Sequence, residues 1–415
     1  MTAGRPVGRA PARRPAGGTR LRTLLVLSGS LLLLKTTWFS ATAVIPQLRQ
    51  EWGLTTGAAA WLTVSVQWGF VAGAVLSAAL VLSDVLPPVR LIFLSSLGTA
   101  AANLALLFAG GALAGGAARF ATGLCIAGVY PPALKLISTW YRHGRGAAMG
   151  AMVGALSLSA GVPHLINGLG GLNWRTVIVA TSLLTVAGGV ITLAAVREGP
   201  HPFPAAVLDS GQVRRILRDR GTRLAMIGYL GHMWELYAMW TWFLLFFSAA
   251  LRAQGTGSPV LAAYVTFAVF ASAALGNHTG GVLGDRFGRE RTAIAMMALS
   301  GTCSACVGLL AGGPLWLLVA VSLVWGYSAA GDSVQFSALA TELADQSYVG
   351  TALTLQMAFG FLLTGVTIWL VPLAEQVVGW RWAFAVLAAG PVAGIVAMRR
   401  LLRQARPGLD PPEAR

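Results

Sequence analysis

Lys35, Arg119, Glu235 and Asp332 are formally charged side chains set inside long apolar stretches, and His232 lies three residues before Glu235. An ionisable group in hydrocarbon is costly, so it is kept for a purpose: to carry a proton, bind a charged cargo or pair with another charge. His232 and Glu235, at i and i+3, share one helix face. Burial disfavours the ionised form of a carboxylate, which suits a proton carrier near neutral pH. Arg119 offers a rigid fork that fits a carboxylate or oxyanion, and it fits backbone carbonyls equally well. Asp332, with Ser328 at i−4 and Gln335 at i+3, forms a polar stripe. That stripe reads either as a second proton or cation site or as helix-packing polarity. Gln67 and Gln356 are candidate hydrogen-bond donors to a polar substrate. His164 and His278 read as interfacial histidines, and Lys135 as an anchor that extends its amine to the membrane surface.

Other chemistries lack their residues. No Walker lysine loop is present, so ATP is not the driver. No His-Glu-x-x-His or Gly-x-Ser-x-Gly string points to a hydrolase. Cys303-x-x-Cys306 has redox or metal spacing, but no His or acid accompanies it in a Met/Ala/Leu stretch, and it reads as apolar packing. No enzyme activity, cofactor or metal is expected.

The elements that must hold these charges follow from composition. The chain has 415 residues, 56% of them hydrophobic and 11% charged, with a mean hydropathy of +0.69. So few charges cannot solvate a soluble domain, which carries about 25% charged residues. Apolar stretches of about 20 residues span a bilayer. Twelve are expected, near 22–46, 57–82, 90–110, 112–138, 146–168, 175–196, 223–249, 259–284, 292–312, 314–338, 349–373 and 380–400. The net charge of +16 raises nucleic acid as a partner, but its distribution argues against that. Nearly all Lys and Arg outside the spans fall in the tails and the even-to-odd loops. The opposite side has only Arg49, Arg175, Arg252 and Arg381. This bias places both termini in the cytoplasm, with basic tails against anionic lipid. Arg13-Arg14 before an apolar run imitates a cleavable signal, but the run is too long. Residues 1–20 read as a basic tail.

The chain repeats at half its length. Asp84 and Asp285 stand 201 residues apart, and Trp174-Arg175 matches Trp380-Arg381 at an offset of 206. Residues 280–291 form a glycine- and arginine-rich turn with Gly281, Asp285, Arg286, Gly288, Arg289 and Arg291 at fixed offsets. This string resembles the cytoplasmic loop signature of the major facilitator superfamily. Arg119-Phe-Ala-Thr-Gly123 and the Trp140-to-Gly150 approach to the fifth span resemble further family motifs. In the first-half copy of the loop only Asp84 and Arg90 survive.

The resemblance implies an all-α integral membrane protein: twelve transmembrane helices in two pseudo-symmetric six-helix halves around a central cavity. The boundaries follow as 21–196 and 223–403, joined by a cytoplasmic linker at 197–222 and followed by a tail at 404–415. It also implies that spans 1, 4, 7 and 10 line the cavity, which would bring Lys35, Arg119, Glu235 and Asp332 to it. Lys35 and Glu235 lie at similar depth, about 20 and 18 Å from the basic flank at 1.5 Å per residue. They read as a substrate and proton site or as an ion pair holding the halves together. The expected function is secondary active transport by alternating access, with proton-coupled symport of a small organic or inorganic anion. The rivals are a proton-coupled exporter of apolar drugs or metabolites and a membrane sensor without flux. A small molecule, protons and membrane lipids are the expected partners of a monomeric permease in a bacterial cytoplasmic membrane.

Overall fold

The apolar stretches form helices, three of which break inside the membrane region. The structure, a computed structural model, describes residues 17–80, 82, 86–141, 145–169, 173–200, 218–343 and 349–404. Asp84, residues 1–16 and most of the linker (201–217) lie outside that set. Among the described residues, eleven helices are long and apolar enough to cross a bilayer. The remaining crossing is span 1, which is interrupted. It runs as a helix over Gly17–Leu34, passes through turns from Lys35 and resumes in a 3-10 turn at Thr42–Val44 and a helix at Ile45–Trp52.

Two other spans are broken as well. Span 4 comprises Ala112–Ile126 and Tyr130–Ser138. Pro131 and Pro132 cannot donate to the carbonyls one turn earlier, so the helix reforms only at Tyr130. Span 10 comprises Leu315–Gly331 and Ser333–Leu343, with Asp332 at the joint. Span 7, the repeat-mate of span 1, is one continuous helix over Arg220–Ala253. The other spans are span 2 (Thr56–Ala79), span 3 (Pro88–Leu104), span 5 (Arg145–Leu169), span 6 (Trp174–Ala195), span 8 (Pro259–Phe287), span 9 (Arg289–Cys306), span 11 (Val349–Val378) and span 12 (Trp380–Arg403, interrupted by a 3-10 stretch at Phe384–Ala388).

Packing divides these spans into two sets of six. Spans 1 to 6 pack among themselves, as do spans 7 to 12, and the sets meet along two seams, span 5 on span 8 and span 2 on span 11. The repeat exchanges spans 2 and 8 and spans 5 and 11, so it also exchanges the two seams. The first seam is lined by small residues. A side chain at Gly154 would meet the backbone of Ala274, and one at Gly161 would meet Phe270. Such residues let helices approach closely where lipid offers no hydrophobic driving force. Asn277 crosses this seam and donates to Ser157 Oγ at 2.8 Å. The second seam is aromatic. Trp61 stacks on Trp369 with the ring planes 8° apart, and Trp68 meets Trp369 edge-on.

Candidate functional site

The break in span 1 exposes Lys35, Trp38 and Phe39 to a cavity between the two sets of helices, with a volume of about 120 Å³. Tyr130, the first residue after the break in span 4, lines it, and so does Ser333, the first after the break in span 10. Tyr130 and Ser333 are 203 residues apart, close to the repeat offset. The two half-sequences therefore break at corresponding places and present the broken ends to one space.

Rings close one end of this cavity. Trp38 meets Phe70 at 5.3 Å and Phe361 at 5.4 Å between centroids, and Phe70 meets Phe361 at 4.8 Å. Tyr237 packs on Phe361 at 5.2 Å, and Trp240 packs on Phe270 at 4.8 Å. Both halves contribute to this roof, and the Trp61, Trp68 and Trp369 cluster lies beyond it. The lining extends the other way, toward the end that carries the chain termini, through Leu134, Met149, Ser337 and Leu353.

Lys35 is the formally charged side chain among the described lining residues, and no carboxylate lines the space with it. Its Nζ sits 4.0 Å from the centre of the Trp38 ring, with the Phe70 and Tyr130 rings within 6 Å. Cation–π contact is the available stabilisation for an amine placed there. His232 also lines the cavity, against Tyr229 and Phe336.

The other charged candidates lie elsewhere. Glu235 and Lys35 form no ion pair, and Glu235 does not line the cavity. Its carboxylate turns into the C-terminal half and accepts hydrogen bonds from Trp325 Nε1 at 2.7 Å and Ser300 Oγ at 2.8 Å. Of the two sequence readings of Lys35 and Glu235, the ion pair is not formed, and a shared cavity site for both is corrected because Glu235 does not line the space. Equal depth in equivalent helices holds, but the face of span 7 that carries Glu235 packs on spans 9 and 10. Arg119 is also corrected as a cavity residue. It is fully buried, and its donors go to the carbonyls of Leu62, Thr37 and Trp38, to Ser40 Oγ and to Asn103 Oδ1. Two carbonyls from the break in span 1, one from span 2 and the Ser40 and Asn103 side chains take up its donors.

Asp332 sits behind the cavity wall. Its Oδ1 lies 2.7 Å from His232 Nδ1, off hydrogen-bond alignment, and both side chains are buried. Its expected stripe partners point away: Gln335 donates to the Gly280 carbonyl at 2.7 Å, and Ser328 bonds back within its own helix. Gln356 is buried beside the lining residue Met357 without lining the cavity itself. Gln67 is buried, and neither side-chain polar atom has a partner. His164 is buried and stacks on Phe270.

The expected turn at 280–291 is confined to Gly288, with the residues before it in span 8 and those after it in span 9, and its charged flanks tie spans 8, 9 and 10 together. Arg289 Nη2 contacts Asp285 Oδ1 at 2.5 Å, and its Nε lies 3.4 Å from Glu342 Oε1 at the end of span 10. Gly288 turns the chain with φ +95°, a conformation glycine adopts without strain. Gly281 is buried, and Arg286 lies over the Phe287 ring. Reading the sequence alone misses Glu342, and it misses Trp38, Phe39, Phe70, Tyr130 and Phe361. An aromatic residue in an apolar helix gives no sign of whether it faces lipid or a cavity.

With the geometry in hand, the profile of the Major Facilitator Superfamily matches residues 27–256 and again 236–415. Among solved structures, the chain is similar to a bacterial homolog of the human lysosomal transporter Spinster, crystallised in an inward-facing and unoccupied conformation. The identity is 15%, the TM-score is 0.66, and the match covers 93% of this chain and 94% of that one. No curated protein matches the sequence.

Proposed function

The chain belongs to the Major Facilitator Superfamily, and from that premise we propose that its central cavity carries an organic anion with an apolar body, moved together with protons. Secondary transport by alternating access is what the family's fold performs. The observation that carries the finer reading is Lys35, an amine without a carboxylate partner in a cavity walled mostly by rings and aliphatic side chains, with Ser157, His232, Asn277, Ser333 and Ser337 as its polar lining. An anion bound there answers the amine, and an apolar body replaces water against Trp38, Phe39 and Tyr237. An inorganic anion would answer Lys35 and the hydroxyl and indole donors but would leave the apolar lining against water, so an anion with an apolar body fits better.

The test is uptake of benzoate into proteoliposomes under an imposed pH gradient. Wild-type protein accumulates it, and Lys35→Ala loses at least about tenfold in apparent affinity, the size of one lost charge-assisted contact. Equal uptake by Lys35→Ala would remove the anion reading. A second reading rests on the aromatic roof: export of uncharged apolar compounds. It predicts dye efflux from cells that is indifferent to Lys35→Ala. A sensor without flux predicts benzoate binding with no counterflow.

We place the chain in a bacterial-type cytoplasmic membrane with both termini inside, on the arginine asymmetry. Alkaline phosphatase fused after Arg403 should then be silent, and a fusion near Gly255 should be active. Activity at the first fusion reverses the orientation.

A further inference from the structure

Behind the cavity wall, the joint of span 10 coincides with a buried acid–base pair. Asp332 is the residue between the two helical parts of span 10, and its partner His232 comes from the unbroken span 7. His232 lines the cavity, and Asp332, which does not, contacts that imidazole. The other ionisable groups around the pair are Tyr229 and Glu235 on span 7, Lys35 on span 1 and Tyr130 on span 4. Glu235 is already engaged by Trp325 and Ser300.

We propose that His232 and Asp332 together form the proton-loading site of the transport cycle, and that the joint of span 10 transmits the load to the inner gate. This rests on the anion reading of the cavity above for its coupling, though not for the proton site itself.

The argument runs through charge and mechanics. A proton enters from cavity water onto the imidazole and passes to the Asp332 carboxylate when a small rotation aligns the two groups, so only N–H and O–H bonds are made and broken. An anion beside Lys35 stands in the same cavity as His232, and negative charge there favours the protonated pair. By reciprocity the protonated pair favours the anion to the same degree, which is the condition for moving both in one direction. The pair also sits at a hinge. Ser333–Leu343 begins at Asp332 and ends beside Glu342, which approaches Arg289 of the turn. Loading or unloading a proton at the joint changes the charge that span 7 holds against span 10. The inner part of span 10 is then free to swing, and Glu342 with it. Glu235 has no such leverage, because it sits within a helix that does not break.

The test uses the full chain in vesicles of phosphatidylethanolamine and phosphatidylglycerol, with no substrate added. Infrared difference spectra between about pH 5 and pH 9 report protonated carboxyl groups. A carboxylic-acid band titrates in wild-type protein, is absent in Asp332→Asn and persists in Glu235→Gln. His232→Gln moves its midpoint by about one pH unit or more, a tenfold change in proton affinity. A band that persists in Asp332→Asn and vanishes in Glu235→Gln overturns the proposal, as does the absence of any titrating band. Should Asp332→Asn fail to fold, His232→Gln decides: an unmoved midpoint overturns the assignment. Benzoate accumulation is measured in the same vesicles. Failure of benzoate with the infrared result intact removes the anion reading alone. Intact benzoate accumulation with an unmoved His232→Gln midpoint removes the proton site alone.

Discussion

Arg119 Nη1 donates to the carbonyl of Thr37 at 2.9 Å, so a side chain of span 4 holds the unwound part of span 1 in place. Trp38 O, Ser40 Oγ, Asn103 Oδ1 and Leu62 O complete its shell. Removing the guanidinium empties a buried forked shell; Thr37 O and Asn103 Oδ1 keep the Ser40 hydroxyl, so the loss is that of the charge-assisted bonds and of the packing rather than of every acceptor. Arg119→Met should lower the apparent melting temperature markedly and abolish transport. Arg119→Lys should rescue only part of it, because a point charge cannot fill a forked shell. Full stability in Arg119→Met, measured by thermal unfolding in detergent, would mean that the break in span 1 holds itself.

Across the aromatic seam, Trp369 Nε1 points at the Gly57 carbonyl at 3.4 Å and its ring stacks on Trp61. Alternating access requires this contact to open. In a background without native cysteines, a short bifunctional thiol reagent bridging cysteines placed at positions 57 and 369 should stop transport. Cleaving the bridge should restore it. Transport that continues through an intact bridge would show that the cavity's second exit lies elsewhere.

At the opposite end, Arg289 stands between Asp285 and Glu342. These groups are partly exposed, and such pairs contribute about 0–1 kcal/mol. Asp285→Asn should therefore leave expression and substrate affinity nearly unchanged. It should still lower transport several-fold, because the same small energy biases a two-state gate. Glu342→Gln should do so more weakly, given its longer contact. Equal transport rates in all three proteins would reduce the turn to a structural connector.

Glu51 belongs to the short helix beyond the break in span 1, and it accepts from Trp174 Nε1 at 2.6 Å and Arg175 Nη2 at 2.7 Å. Those hydrogen bonds, Trp174's first, hold its carboxyl below the usual carboxylate range. A depressed folded-state pKa contributes stability above the unfolded value, which is lost as pH falls through the folded one. Wild-type melting temperature should thus decline on acidification below the ordinary carboxylate range, and Glu51→Gln should flatten that decline. Parallel curves for the two proteins would show that the latch carries no weight.

Periodicity and charge made much of this architecture legible. The apolar runs predicted the crossings, and the Asp84/Asp285 and Trp174/Trp380 matches revealed the repeat. The Gly288 turn pointed to the family. The site was less legible. Lys35 was readable because an amine in a run of leucines has few explanations. Glu235 looked equivalent to it, yet a one-dimensional pattern gives depth and not azimuth. His232 does lie near Glu235 in azimuth, as the i,i+3 spacing implies, but it sits at the edge of the cavity face that Leu236 and Tyr237 continue, and Glu235 falls on the other side of that edge. Arg119 was misplaced for a similar reason: nothing local announces that a helix elsewhere unwinds and leaves carbonyls to be answered. The Pro131-Pro132 break was visible in sequence. The break at Asp332 was not, since neither glycine nor proline follows it.

Span 7, unbroken from Arg220 to Ala253, has a consequence for how the molecule sits in lipid. Arg223 and Arg252, both exposed, are 29 residues apart on this helix, a rise of about 44 Å. That equals the full thickness of a bilayer including its headgroups, about 40–45 Å. Held along the membrane normal, the helix would set each guanidinium at the phosphate level of its own leaflet. A helix fastened at both surfaces cannot slide along the membrane normal without dragging an arginine into hydrocarbon. The motion left to it is tilt, so thinner membranes should lean span 7 over and thicker ones should hold it upright.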